Sequence, residues 1–114
     1  MTSETTTESP VLLVEEPEEG IALLTLNRPK ARNSLSEALM AAISNALDGI
    51  VGRQDVRAVV IAAAGPVFSA GHDLKEMTAH RADPDRGRAY FTEVLATCSA
   101  MMERIVRLPQ PVIA

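Results

Sequence analysis

An α/β layered fold is predicted by three features of this 114-residue sequence. Two β-like apolar runs, Val11-Leu12-Leu13-Val14-Glu15 and Ile21-Ala22-Leu23-Leu24-Thr25-Leu26-Asn27, flank a short acidic link. From Leu35 the apolar period becomes helical, and at Ala58-Val59-Val60-Ile61-Ala62-Ala63-Ala64 a flat apolar run returns to strand character. Hairpin, helix and strand in that order bury one sheet face under a helix layer.

The link Pro17-Glu18-Glu19-Gly20 has Pro early and Gly late, which is turn chemistry, so the first two runs should pair antiparallel. Residues 27–34 lack an apolar period and concentrate Arg28, Lys30 and Arg32 in one loop. Leu35, Ala38, Leu39, Ala42, Ile43, Ala46, Leu47, Ile50 and Val51 then form one helical stripe. Ser34 and Glu37 have capping-box spacing, and Gly52 stands where a left-handed C-cap is wanted. The run at 57–64 suits a strand covered on both faces. A brief helix should open at Asp73, and residues 78–87, polar with Pro84, read as a mobile surface loop. A second long helix carries Phe91, Val94, Leu95, Cys98, Met101, Met102, Ile105 and Val106 on its stripe, with Pro109 as a stop. Pro111-Val112-Ile113-Ala114 begins another buried strand, and a chain that stops inside an apolar strand predicts a truncated domain.

Composition bounds the function. Apolar residues at 46% and charged residues at 23% describe an ordinary globular chain, and with aromatics at 3% the core must be aliphatic. A net charge of −4 argues against non-specific nucleic-acid binding, so an anionic ligand must be met by local basic residues. Cys98 is the single cysteine, and no Cys or His pair has metal-ligand spacing, so neither an internal disulfide nor a metal site is expected. Residues 1–10 are polar and acidic without the pattern of a leader, which predicts a disordered tail and a cytoplasmic protein. No run approaches the ~18 apolar residues of a membrane span, so no membrane partner is expected.

The stretch Phe68-Ser69-Ala70-Gly71-His72-Asp73-Leu74-Lys75-Glu76-Met77 concentrates the chemistry. A strand that ends in a Gly-bearing loop and runs into a helix start aims free N–H groups at one spot, with the helix dipole behind them. An anion should be welcome there. Ser69, His72 and Asp73 do not make a hydrolase triad, because such close neighbours cannot place nucleophile, base and orienter in line. Taken alone, the Lys-x-Arg of the first loop reads as solvated surface charge.

Together with Asn27-Arg28-Pro29-Lys30-Ala31-Arg32-Asn33-Ser34-Leu35, Arg57-Ala58-Val59-Val60-Ile61 and Pro109-Gln110-Pro111-Val112-Ile113-Ala114, that stretch resembles the enoyl-CoA hydratase/isomerase (crotonase) superfamily. The resemblance runs in the family's order and spacing from about Val11 to Ala114. His72 after the Gly and the segment 88–102 look closest to the branch called enoyl-CoA hydratase domain-containing protein 3. The resemblance implies a crotonase-like ββα superhelix, of which residues 11–114 are the N-terminal part of the spiral domain. It implies an acyl-CoA thioester ligand whose carbonyl is held by two backbone N–H donors, the first being that of His72, where many members carry Ala. It carries CoA contacts onto Arg28, Lys30, Ala31, Arg32, Ala70, Asp73, Leu74 and Lys75, with no cofactor apart from the CoA of the substrate. The second donor and the acid/base Glu residues of the family's hydratases fall beyond residue 114. The expected function is therefore an enoyl-CoA hydratase-type lyase present as an N-terminal fragment, inactive alone. The alternative is a non-catalytic thioester binder or oligomer partner. At full length the family pattern implies a homotrimer or hexamer, and the isolated piece is expected to expose apolar faces of its helices and last strand.

Overall fold

The computed structural model describes residues 10–114. Residues 1–9 of the predicted tail lie outside the described residues. The elements are β1 (Leu12–Glu18), β2 (Ile21–Leu26), α1 (Glu37–Ile50), β3 (Ala58–Ala63), α2 (Leu74–Ala79), α3 (Arg88–Arg107) and β4 (Val112–Ile113). They build one four-stranded sheet in the order β1-β2-β3-β4. β1 and β2 are antiparallel, whereas β2 with β3 and β3 with β4 are parallel. The parallel pairs follow from the helices, since each return to the sheet requires a crossover, here α1 and then α3.

One apolar core joins the layers. Leu12, Ala22, Leu24, Leu26 and Val59 of the sheet meet Leu39, Met40, Ile43, Leu47 and Ile50 of α1 and Val94 and Met101 of α3. Leu24, Leu39 and Val59 are fully buried, each such aliphatic side chain contributing roughly 2 kcal/mol on removal from water. Of the stripe predicted for α1, Leu39, Ile43, Leu47 and Ile50 are buried, Ala38 and Val51 are exposed, and Met40, outside the predicted stripe, is buried as well. The stripe of α3 is only half covered: Val94 and Met101 are buried, but Leu95, Met102 and Val106 are exposed, as is Ile113 on β4.

Four local expectations are corrected by the structure. The hairpin turns at Glu19 and Gly20, and Pro17 stays within β1, where the register shifts between Glu15 and Glu18. A bulge accommodates a residue that cannot donate to the ladder. The N-cap of α1 is Ser36, whose side chain accepts from the Leu39 N–H, because Ser34 is held by other partners described below. Gly52 is not left-handed: Val51 continues the helical conformation, and the Nε2 of buried Gln110 donates to the carbonyls of Ile50 (3.1 Å) and Arg53 (3.0 Å). A side chain from beyond α3 thus satisfies the end of α1. Residues 78–87 contain the end of α2 and a 3-10 turn at His80–Ala82, with the His80 ring stacked on Tyr90 at 3.6 Å. Among the described residues no helix is long and apolar enough to cross a membrane.

Candidate functional site

The basic loop opens with a 3-10 turn, Pro29–Ala31, followed by two left-handed residues, Arg32 (φ 54°) and Asn33 (φ 52°). Asn is among the few side chains that tolerate this region readily. Asn33 is wholly buried and acts as a clamp. Its Oδ1 accepts from the Arg28 N–H (2.7 Å), and its Nδ2 donates to the carbonyls of Ala64 (2.9 Å) and Val67 (2.9 Å). Ser69 Oγ donates to the Asn33 carbonyl (2.9 Å). The loop that carries Lys30 and Arg32 is thereby fastened to the segment that leaves β3. Nothing in residue type marked Asn33 as the junction, beyond its place in an aperiodic loop.

Gly71, at φ 95°, turns the chain so that residues 35 and 72 form an isolated parallel bridge. The Leu35 N–H donates to the Gly71 carbonyl (2.7 Å) and the Asp73 N–H to the Leu35 carbonyl (3.2 Å). In a parallel bridge these two bonds use the groups on either side of His72, so its own N–H points away from Leu35. That N–H has no acceptor among the described residues.

The predicted helix-dipole site is corrected. Asp73 Oδ1 accepts from the N–H groups of Lys75 (3.0 Å) and Glu76 (3.2 Å), so the chain's own carboxylate caps the six-residue α2. The His72 amide, just before the cap, is left without an internal acceptor among the described residues. Asp73 Oδ2 also pairs with Arg28 Nη2 (3.2 Å), and Arg28 Nη1 donates to the Ser34 carbonyl (2.6 Å) and hydroxyl (3.1 Å). Arg28 is therefore a strut of the site, its charge already matched by Asp73.

Burial pushes the Asp73 carboxyl up, but the Glu76 N–H, the Arg28 guanidinium and the Lys75 N–H outweigh it and hold the group below its ordinary 3.8. A carboxylate depressed in the folded state adds stability that is full above the unfolded-state value and lost as pH falls through the lower folded value. Thermal melts should therefore show Asp73-dependent stability above pH 4 that decays under more acid conditions, and D73N should flatten that slope. An unchanged acid slope in D73N would count against this role.

The predicted site residues Arg28, Lys30, Ala31, Arg32, Ala70, His72, Asp73, Leu74 and Lys75, with Ser34, line one open cavity of about 350 Å³. Lys30, Arg32 and Lys75 are exposed on it and have no carboxylate partner among the described residues. Asp73 is the one carboxylate lining it among the described residues, and it is engaged as above. His72 Nδ1 is buried without a hydrogen-bond partner. The chemistry available here is recognition: the three cations and the free His72 amide suit a polyanionic ligand bearing a carbonyl. Among the described residues no group of His, Cys, Asp and Glu could hold a metal.

The family model for enoyl-CoA hydratase/isomerase matches residues 16–114. This chain belongs to that family, the crotonase superfamily. Its likeness within the family is to the branch of enoyl-CoA hydratase domain-containing protein 3. The human mitochondrial member is 42% identical over 96 residues, covering 84% of this chain and 30% of the relative. The crystal structure of that human protein superposes with a TM-score of 0.79 at 37% identity, covering 90% of this chain and 38% of the other. An enoyl-CoA hydratase from Mycobacterium smegmatis superposes with a TM-score of 0.83 at 49% identity, covering 91% and 38%. The chain thus spans about a third of the length of the curated relatives it matches. The mixed α/β architecture is that of the crotonase fold.

The cytoplasmic expectation is overturned by these relatives, since the human, rat and mouse proteins are mitochondrial by name. Its physical basis was weak: a lone thiol such as Cys98 fits any reducing compartment, and a globular core carries no address.

Proposed function

We propose that this chain supplies the CoA-thioester-binding part of a hydratase-type acyl-CoA lyase, which adds water across a 2-enoyl-CoA. The observation that carries the reading is the unpartnered His72 N–H beside Lys30, Arg32 and Lys75. The three cations meet the phosphates of CoA. The backbone at Ala31, Ala70 and Leu74 lines the path of the ligand, and the His72 amide donates to the thioester oxygen as it gains charge. CoA is the handle of the substrate, so no further cofactor is needed. One observation favours a second reading, a non-catalytic thioester binder. Hydration needs carboxylates to activate water and handle the α-proton, and the carboxylate lining this cavity, Asp73, is committed to a cap and an ion pair. In the lyase reading, later parts of the full-length protein supply the carboxylates and a second donor, and a homotrimer or pair of trimers is the assembly.

Crotonyl-CoA hydration by the full-length protein, with CoA-ester affinity measured alongside, separates the cases. Turnover supports the lyase, binding without turnover supports the binder, and absence of both sinks the CoA reading. Replacing Lys30, Arg32 or Lys75 by Ala is expected to weaken CoA binding by up to about fivefold each, these being exposed charges. The loss should shrink as salt is raised.

A further inference from the structure

Glu76 belongs to the same short stretch as His72, yet the site described above gives its side chain no part. Its Oε1 reaches across to accept from the Glu37 N–H at 2.9 Å, at the first residue of α1. That N–H is one of the donors a helix start leaves unsatisfied, so α2 caps α1 with a side chain while Ser36 caps it from within. Glu37 is in turn fixed from α3, where Tyr90 Oη donates to its Oε2 at 2.8 Å. The Tyr90 ring is stacked on His80, whose Nδ1 lies 2.8 Å from Asp83 Oδ2. Three helices therefore converge on one backbone N–H and one carboxylate, next to the bridge between Leu35 and His72.

The placement has a consequence for the amide. The direction of the His72 N–H is set by the bridge, whose far strand is Leu35 and whose near strand runs directly into the Asp73 cap of α2. Leu35 lies two residues before α1 begins. If α2 rolls away from the start of α1, the ties left are the two bonds of the bridge, the Arg28 bridge to Asp73 and Ser34, and, further back along both segments, the Ala70 N–H on the Arg32 carbonyl (3.0 Å) and Ser69 Oγ on the Asn33 carbonyl. Glu76 adds a side-chain tie from α2 to the first residue of α1.

We infer that Glu76 is a positioning residue for the His72 amide, through its hydrogen bond to the start of α1, with Tyr90 and Glu37 as its support. This rests on the CoA-thioester reading. The role requires an acceptor oxygen at Oε1 and not a negative charge, so E76Q keeps it and E76A removes it.

The test measures dissociation constants of acetoacetyl-CoA and of free CoA for the full-length protein and both variants. Free CoA reports the basic loop, and the ratio of the two constants reports the amide. E76A is expected to weaken acetoacetyl-CoA about fivefold to tenfold while CoA affinity holds, with E76Q restoring the ratio. Equal weakening of both ligands in E76A would mean a general structural role and overturn the inference, as would a ratio in E76A equal to wild type or a loss in E76Q as large as in E76A. A wild-type protein that binds acetoacetyl-CoA no more tightly than CoA would overturn the thioester reading itself, a result distinct from any difference among the variants.

Discussion

H72P in the full-length protein should lower turnover of crotonyl-CoA by about 10²–10³-fold, the usual loss on deleting one preorganised donor to a developing oxyanion. Proline removes the amide hydrogen, and H72A controls for the imidazole that is lost with it. The His72 N–H makes no internal bond among the described residues, while the bonds that build the bridge use the Leu35 and Asp73 N–H groups and survive. Gly71, which precedes it, has the freedom to accept the restriction a following proline imposes. H72A keeps the N–H and should lose far less, because in the lyase reading the chemistry asked of this position belongs to the backbone. Melting temperatures of both variants, measured beside the rates, separate donor loss from unfolding. Wild-type turnover in H72P would remove His72 from the mechanism. In the non-catalytic reading the same substitution should erase the preference for acyl-CoA over CoA.

N33A should lower stability by about 4 kcal/mol. Three half-buried partners, the Arg28 N–H and the carbonyls of Ala64 and Val67, lose their hydrogen bonds at roughly 1 kcal/mol each. Alanine adds about 1 kcal/mol of strain in the left-handed region that Asn33 occupies. For a full-length domain this is a fall in Tm of about 10 °C. N33G relieves the strain without replacing the hydrogen bonds, so it should recover about 1 kcal/mol and no more. A shift below about 2 °C in N33A would show that the clamp contributes little. Because the clamp ties the basic loop to the strand-exit segment, CoA affinity should fall with stability.

How much of this was legible follows from sequence separation. The α1 stripe from Leu35 to Ile50 and the Asp73 cap rest on interactions between residues two to four apart, and such patterns are visible in one dimension. The Ser34 and Gly52 caps had equally good local credentials and failed. Ser34 was taken by Arg28, and the end of α1 was satisfied by Gln110 from about 60 residues away. The cavity residues came from the resemblance to a family; their residue types alone would have read as surface charge. The family was likewise legible from motif order, whereas the compartment was not, because no residue of the described core encodes it.

The sequence by itself determined the element order, the aliphatic core and the membership of the chain in its family, since periodicity and motif spacing are local or ordered along the chain. Only the tertiary structure decided which polar groups remain free. The Asp73 carboxylate and the Arg28 guanidinium cancel each other across 45 residues, the Lys75 and Glu76 N–H groups of α2 are closed by that same Asp73, and the Glu37 N–H is taken by Glu76. Among the described residues the His72 amide is left without an internal acceptor, beside Lys30, Arg32 and Lys75 without a carboxylate partner. A hydrogen-bonding group is available for a ligand only after every internal partner has been assigned, and those partners are brought together by folding, not by order in the chain.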